Sequence, residues 1–79
     1  MKKKKPYQLI KRSVSLDGHR TSVALEQLFW DEVDLLAKTD RLSVSGWISH
    51  IDRQRPADQS LASALRVKVL TSLKEQSGH

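Results

Sequence analysis

Apolar and polar residues alternate twice near the front of the chain, through "SVSL" and again through "TSVAL", with Asp17-Gly18 between the two runs. A period of two is the pattern of a half-buried strand, and Asp-Gly is the strongest short-range signal for a hairpin loop. With those two residues as the loop, Leu16 pairs with His19, Ser15 with Arg20, Val14 with Thr21 and Ser13 with Ser22. The register is self-consistent. It sets Val14, Leu16, Thr21, Val23 and Leu25 on one face and Ser13, Ser15, Arg20, Ser22 and Ala24 on the other.

From Glu26 the period lengthens to that of a helix. Phe29, Val33, Leu36 and Ala37 make one apolar stripe with Trp30 at its edge, while Leu28 and Leu35 make a second patch, separated from the first by Glu32. Two patches on one short helix imply more than one neighbour. The run "KTDRLS" ends this helix, and Ser43 is the expected N-cap of a second, with Val44, Trp47, Ile48 and Ile51 at i, i+3, i+4 and i+7. Gly46 in its first turn lowers helix propensity by about 1 kcal/mol, so packing or close backbone approach is expected to hold this end. After a loop at "RQRPADQS", with Ser60 as a cap, "LASALRVKVLTSLKEQ" predicts a third helix whose Leu61, Ala62, Leu65, Val69, Leu70 and Leu73 face one way. Arg66 falls inside that stripe. A buried guanidinium is costly without a counter-charge, so an internal ion pair with Glu32 is expected, Asp52 being the other candidate.

One hairpin and three short helices make a thin core, and 79 residues lie near the lower limit for an independently stable domain. An isolated hairpin is marginal in water. A second copy of the chain answers both problems: two Thr21-to-Leu25 strands, antiparallel across a two-fold axis, complete a sheet, of two strands or four, whose apolar face closes over helices from both copies. The dimer core is then expected to hold Val23, Leu25, Phe29, Val33, Leu36, Trp47, Ile48 and Ile51. The predicted fold class is α+β, mainly α, with an N-terminal β-hairpin or ribbon and three helices per chain. Residues 1–10 read as a basic disordered arm and residues 11–76 as one domain, with its last helix at about 60–76.

Charge changes the picture more than size does. The chain carries a formal +5, and residues 1–25 hold seven Lys or Arg against Asp17 alone, so the positive charge gathers at the strand end. The block "MKKKKP" is suited to trailing along phosphates. With no cysteine, disulfides and thiolate metal sites are excluded and a reducing, cytoplasmic setting is expected. His19, His50 and His79 lack ligand spacing, so neither metal nor cofactor is expected. No apolar run approaches a membrane span. Asp31, Glu32 and Asp34 crowd carboxylates at a helix start, yet no base, nucleophile and oxyanion donor converge there, and an enzyme is not expected.

The segment "RTSVALEQLFWDEVDLLAKTDRLSVSGWISHI", residues 20–51, resembles the ribbon-helix-helix family of bacterial and phage DNA-binding regulators. The likeness rests on the alternating strand, the leucine that ends it, the Phe29, Val33, Leu36, Ala37 pattern, the short linker, and the "SxS" entry to a helix bearing Trp47-Ile48. With the later "SLASALRVKVL" it is similar to a bacterial subfamily with an appended third helix. The resemblance implies an obligate homodimer whose antiparallel ribbon enters the major groove of double-stranded DNA. It carries base contacts onto Arg20, Ser22 and Ala24, and phosphate contacts onto Ser43, Val44 and Ser45 at the second helix's N-terminus, with Lys11 and Arg12 adding attraction. Arginine can pair with guanine, serine can donate or accept, and alanine can meet a thymine methyl. Exposed amides at a helix start suit an anion. The alternative is a dimeric protein-interaction module on the same scaffold, antitoxin-like or an adaptor, docking a protein partner through its third helix or its acidic first helix.

Overall fold

Asp17 and Gly18 both take positive φ, 50° and 86°. Two consecutive left-handed residues make the type I′ turn, whose twist matches that of paired strands. The computed structural model describes residue 5 and residues 7–77. In it the order is β1 (Leu9–Leu16), β2 (His19–Glu26), α1 (Gln27–Thr39), α2 (Val44–Gln54) and α3 (Leu61–Gln76). β1 and β2 form a two-stranded antiparallel sheet in the register the turn dictates, from Leu16↔His19 back to Leu9↔Glu26. The strand takes in Leu9 and Ile10, which the sequence assigned to the basic arm. Ile10 packs against the core and Lys5 bonds Gln8, so order begins before residue 11. The rest of the lysine block lies outside the described residues.

α1 stops at a Schellman motif: the Arg41 N–H donates to Lys38 O at 3.0 Å and the Leu42 N–H to Ala37 O at 2.9 Å. Arg41 sits at φ 59°, the left-handed position where glycine is usual. α2 and α3 start on the serines that the sequence marks, with Ser43 Oγ accepting from Gly46 N and Ser60 Oγ from Ser63 N. A Cβ on Gly46 would stand 3.1 Å from Ser43 Oγ, so glycine gives the cap its room.

The helices cover the inward face of the hairpin. Val14, Leu16, Val23 and Leu25 meet Trp30, Val33, Leu36 and Ala37 of α1, Trp47, Ile48 and Ile51 of α2, and Ala64, Leu65 and Val69 of α3, all buried. Val23, Leu25, Val33, Leu36, Trp47, Ile48 and Ile51, expected in a core shared between two copies, are thus buried within one chain; Phe29 stays partly exposed. The extra strand and third helix supply cover that the sequence suggested would come from a second copy. Trp30 is buried and central, not at the edge of its stripe. Its indole N–H donates to Ile10 O at 2.7 Å, tying α1 to the open end of the hairpin. Trp47 donates to Asp40 at 3.1 Å and so fixes the α1–α2 corner. Leu70, expected to face the core, is exposed.

Arg66 pairs with Glu26, not with Glu32 or Asp52. Its Nη2 lies 2.9 Å and its Nε 3.1 Å from Glu26 Oε1, and both side chains stay partly accessible. The physical reason is the path of α3, which begins beneath the turn end of β2 and advances in the same direction as the strand. Leu61 shares a cleft with Thr21 and Ser22 near the turn, and five residues on, Arg66 arrives at the strand's last residue. Asp52 is taken by Arg55 at 2.8 Å.

Candidate nucleic-acid interface

A face is available to a large partner only where the chain does not use it. The outward face of the hairpin is such a surface: Lys11, Ser13 and Ser15 of β1 and Arg20 and Ser22 of β2 are exposed, and Ala24 is half-buried. Cross-strand pairing sets Lys11 beside Ala24, Ser13 beside Ser22 and Ser15 beside Arg20. Neither Lys11 nor Arg20 has a carboxylate partner among the described residues, because the nearby acids are engaged: Asp17 with Arg53 at 3.1 Å, Asp34 with Arg12 and Glu26 with Arg66. The face is therefore positive, hydroxyl-rich and small-residued.

Lys11 and Arg12, grouped together as phosphate contacts, part company here. Neighbouring residues on a strand point to opposite faces. Arg12 turns to the helix side, stacks 4.4 Å from the Trp30 ring and bonds Asp34 at 3.1 Å. Its charge is committed to the fold, and it leaves the candidate contact set. Ser13 and Ser15 enter it. The family pattern, which begins at Arg20, does not reach them, although the Asp17-Gly18 register places them opposite Ser22 and Arg20.

Two further features adjoin this face. Ser45, in the first turn of α2, accepts from Ser15 N at 3.1 Å, and Ser49 reaches Ser15 O at 3.5 Å, which fastens α2 along the outer edge of β1. The start of α2 is thereby carried to the flank of the hairpin face. Gly46 N–H is used by the Ser43 cap, while Val44 and Ser45 N–H find no acceptor among the described residues. The second feature is the free edge of β2. Around a two-residue loop the flanking pair is hydrogen-bonded and every second pair after it, so Arg20, Ser22 and Ala24 direct their N–H and C=O groups away from β1. Glu26, at the end of that edge, is held below the usual carboxylate range by its own backbone N–H and by Arg66.

Comparison with known proteins decides the lineage. The model of the ribbon-helix-helix domain matches residues 9–73. The chain belongs to the ribbon-helix-helix domain family. A solved structure, that of an uncharacterized protein from Bordetella pertussis Tohama I, resembles this ribbon-helix-helix chain with a TM-score of 0.74 and 35% identity over 91% of its length. The chain spans 61% of that protein. No curated protein matches it. The matched region includes β1 and most of α3, so the extra strand and third helix of this ribbon-helix-helix domain belong to the family pattern. None of its described helices is long and apolar enough to cross a membrane.

Proposed function

We propose that the protein is a dimeric DNA-binding regulator that sets its outward hairpin face on the major groove. What carries the reading is the pairing of an uncommitted basic face, Lys11 and Arg20, with an open β2 edge beside it. Two β2 strands related by a two-fold axis through Val23 satisfy the free groups of Ser22 and Ala24 and bring two copies of Arg20, Ser22 and Ala24 together. The resulting sheet has four strands. At about 4.8 Å spacing its outer strands stand about 14 Å apart, against a groove about 12 Å wide. The central β2 pair therefore addresses base edges, and the β1 strands lie over the flanking phosphates. Lys11, Ser13 and Ser15 are suited to that position, since ammonium and hydroxyl groups bind phosphate and carry no base code. Val44 and Ser45, fastened beside Ser15, extend the same phosphate track.

Fluorescence titration of duplex DNA across salt concentrations tests this. Lys11→Ala removes two phosphate contacts per dimer and should flatten the slope of log K against log salt by about 1.8. Arg20→Ala should cost about 1–3 kcal/mol per half-site and relax base preference. Equal binding by wild type and both variants, or no duplex binding at low salt, refutes the proposal; the latter points to a protein-interaction module.

A further inference from the structure

α3 is apolar on two sides. Leu61, Ala62, Leu65 and Val69 pack against the core, while Leu70 and Leu73 stay 57% and 37% exposed beside Leu28 of α1, which is 68% exposed. With Phe29 and Val69 these residues line an open groove between the two helices, and Glu32 is its one charged wall residue. Helical spacing continues the α1 wall from Leu28 through Glu32 to Leu35, which is also exposed. Glu32 is half-buried and has no basic partner among the described residues. The neighbouring cations are committed: Arg66, 5.7 Å from the Phe29 ring centroid, bonds Glu26, and Arg12 bonds Asp34. What remains is an apolar trough with one uncompensated negative charge.

We infer that this groove docks an amphipathic helix of a different protein, one that carries a lysine or arginine beside its apolar stripe. The charge selects among occupants. An anionic surface, lipid or nucleic acid, meets the carboxylate of Glu32 with that of Asp31 next to it. A second copy of this chain set symmetrically on the groove would bring Glu32 against Glu32. In the dimer proposed above the grooves lie beyond Glu26, at opposite ends of the paired β2 strands, and stay open. A basic and apolar helix satisfies both the trough and its charge. Two adjacent helices present a furrow that a third fills as in a bundle, with anchors at i, i+3 or i+4 and i+7. From Leu28 to Leu35 the wall is about 10 Å long at about 1.5 Å per residue, room for about two turns of the incoming helix. No groove residue belongs to the hairpin, so the outward face is left to DNA while the helical side holds a protein. The inference goes beyond the DNA reading and does not rest on it.

Selection of a phage-displayed library of helical peptides on the full chain, followed by fluorescence anisotropy and methyl NMR with the enriched peptide, tests the assignment. Enriched sequences should repeat apolar residues at helical spacing with Lys or Arg on the flank, and bound peptide should shift the Leu28, Leu70 and Leu73 methyls. Leu70→Glu, at an exposed position, should keep the fold by circular dichroism and weaken the peptide at least about 30-fold. Glu32→Lys should weaken a lysine-bearing peptide at least about fivefold and regain affinity when that lysine is changed to glutamate, a reversal that general damage to the surface does not produce. Both variants should keep wild-type affinity for duplex DNA; a wild type that binds no duplex refutes the regulator reading and leaves this test standing. The inference is overturned if selection enriches no helical apolar pattern, if enriched peptides bind Leu70→Glu within about threefold of wild type, or if the charge reversal fails. Other occupants are read at the same methyls. Intermolecular contacts at Leu28 and Leu70 in isotope-filtered spectra of the protein alone, or shifts there on adding phosphatidylglycerol vesicles, overturn it as well.

Discussion

Trp30→Phe should be the most informative single change in the fold. The indole is 1% exposed, donates to Ile10 O at 2.7 Å and carries the Arg12 guanidinium 4.4 Å from its ring centroid. Phenylalanine keeps an aromatic ring but removes the N–H, leaving a partly buried carbonyl short of a donor at about 1–3 kcal/mol. A weaker cation–π contact adds about 0.5 kcal/mol, and the lost ring volume about 1 kcal/mol. The total, about 3 kcal/mol, is a large share of the roughly 4–12 kcal/mol expected of 79 residues. With a urea slope of about 1 kcal/mol/M, the midpoint should fall by about 2–3 M. Urea titration at one fixed protein concentration reads this directly. Arg12→Ala, which removes the stacking and an exposed ion pair, should cost only about 1 kcal/mol. In the double variant the two losses should overlap by about 0.5 kcal/mol or more. A midpoint shift under about 0.5 M for Trp30→Phe, or strict additivity with Arg12→Ala, refutes the idea that Trp30 binds the hairpin to α1.

Three other changes test the backbone and the ion pair. Arg41→Gly relieves a left-handed residue at φ 59° and should raise thermal stability by about 0.5–1 kcal/mol; an unchanged melting temperature would count against strain there. Gly18→Ala places a Cβ at φ 86° with nothing within 4 Å, so a loss of about 1–2 kcal/mol in chemical denaturation would be purely conformational, and no loss would contradict the turn assignment. Glu26, lowered in the folded state by its backbone N–H and Arg66, contributes stability that is full above the unfolded carboxyl range and is lost as pH falls through its folded value. Melting temperatures between neutral and acid pH should therefore drop less steeply in Glu26→Gln than in wild type.

Local chemistry made most of the fold legible. Asp17-Gly18 specified the turn and, through it, every cross-strand pair; Ser43 and Ser60 marked their helix starts; the i, i+3, i+4 spacing of Trp47, Ile48 and Ile51 identified the buried side of α2. What escaped depends on which elements become neighbours. The Arg66 partner was misassigned because wheel positions do not reveal that α3 runs under β2 and ends its first turns at Glu26. Arg12 looked like a surface cation because its stacking partner, Trp30, is eighteen residues away in sequence. Leu70 was expected inside because an apolar residue on a wheel cannot announce that its patch faces outward. Of the candidate site, alternation placed Arg20, Ser22 and Ala24 on the outward face and the family resemblance proposed them as contacts, whereas the bridge from Ser15 to Ser45 requires the packed structure.

The two margins of the hairpin are not equivalent. On the far side of β1, hydroxyls of the chain's own second helix occupy the amide and carbonyl of Ser15, so an incoming strand cannot lie flat along that side. Growth of the sheet is thus one-sided: the proposed association through β2 would exhaust it after a single step, and two serines placed one helical turn apart would limit the product to pairs rather than filaments.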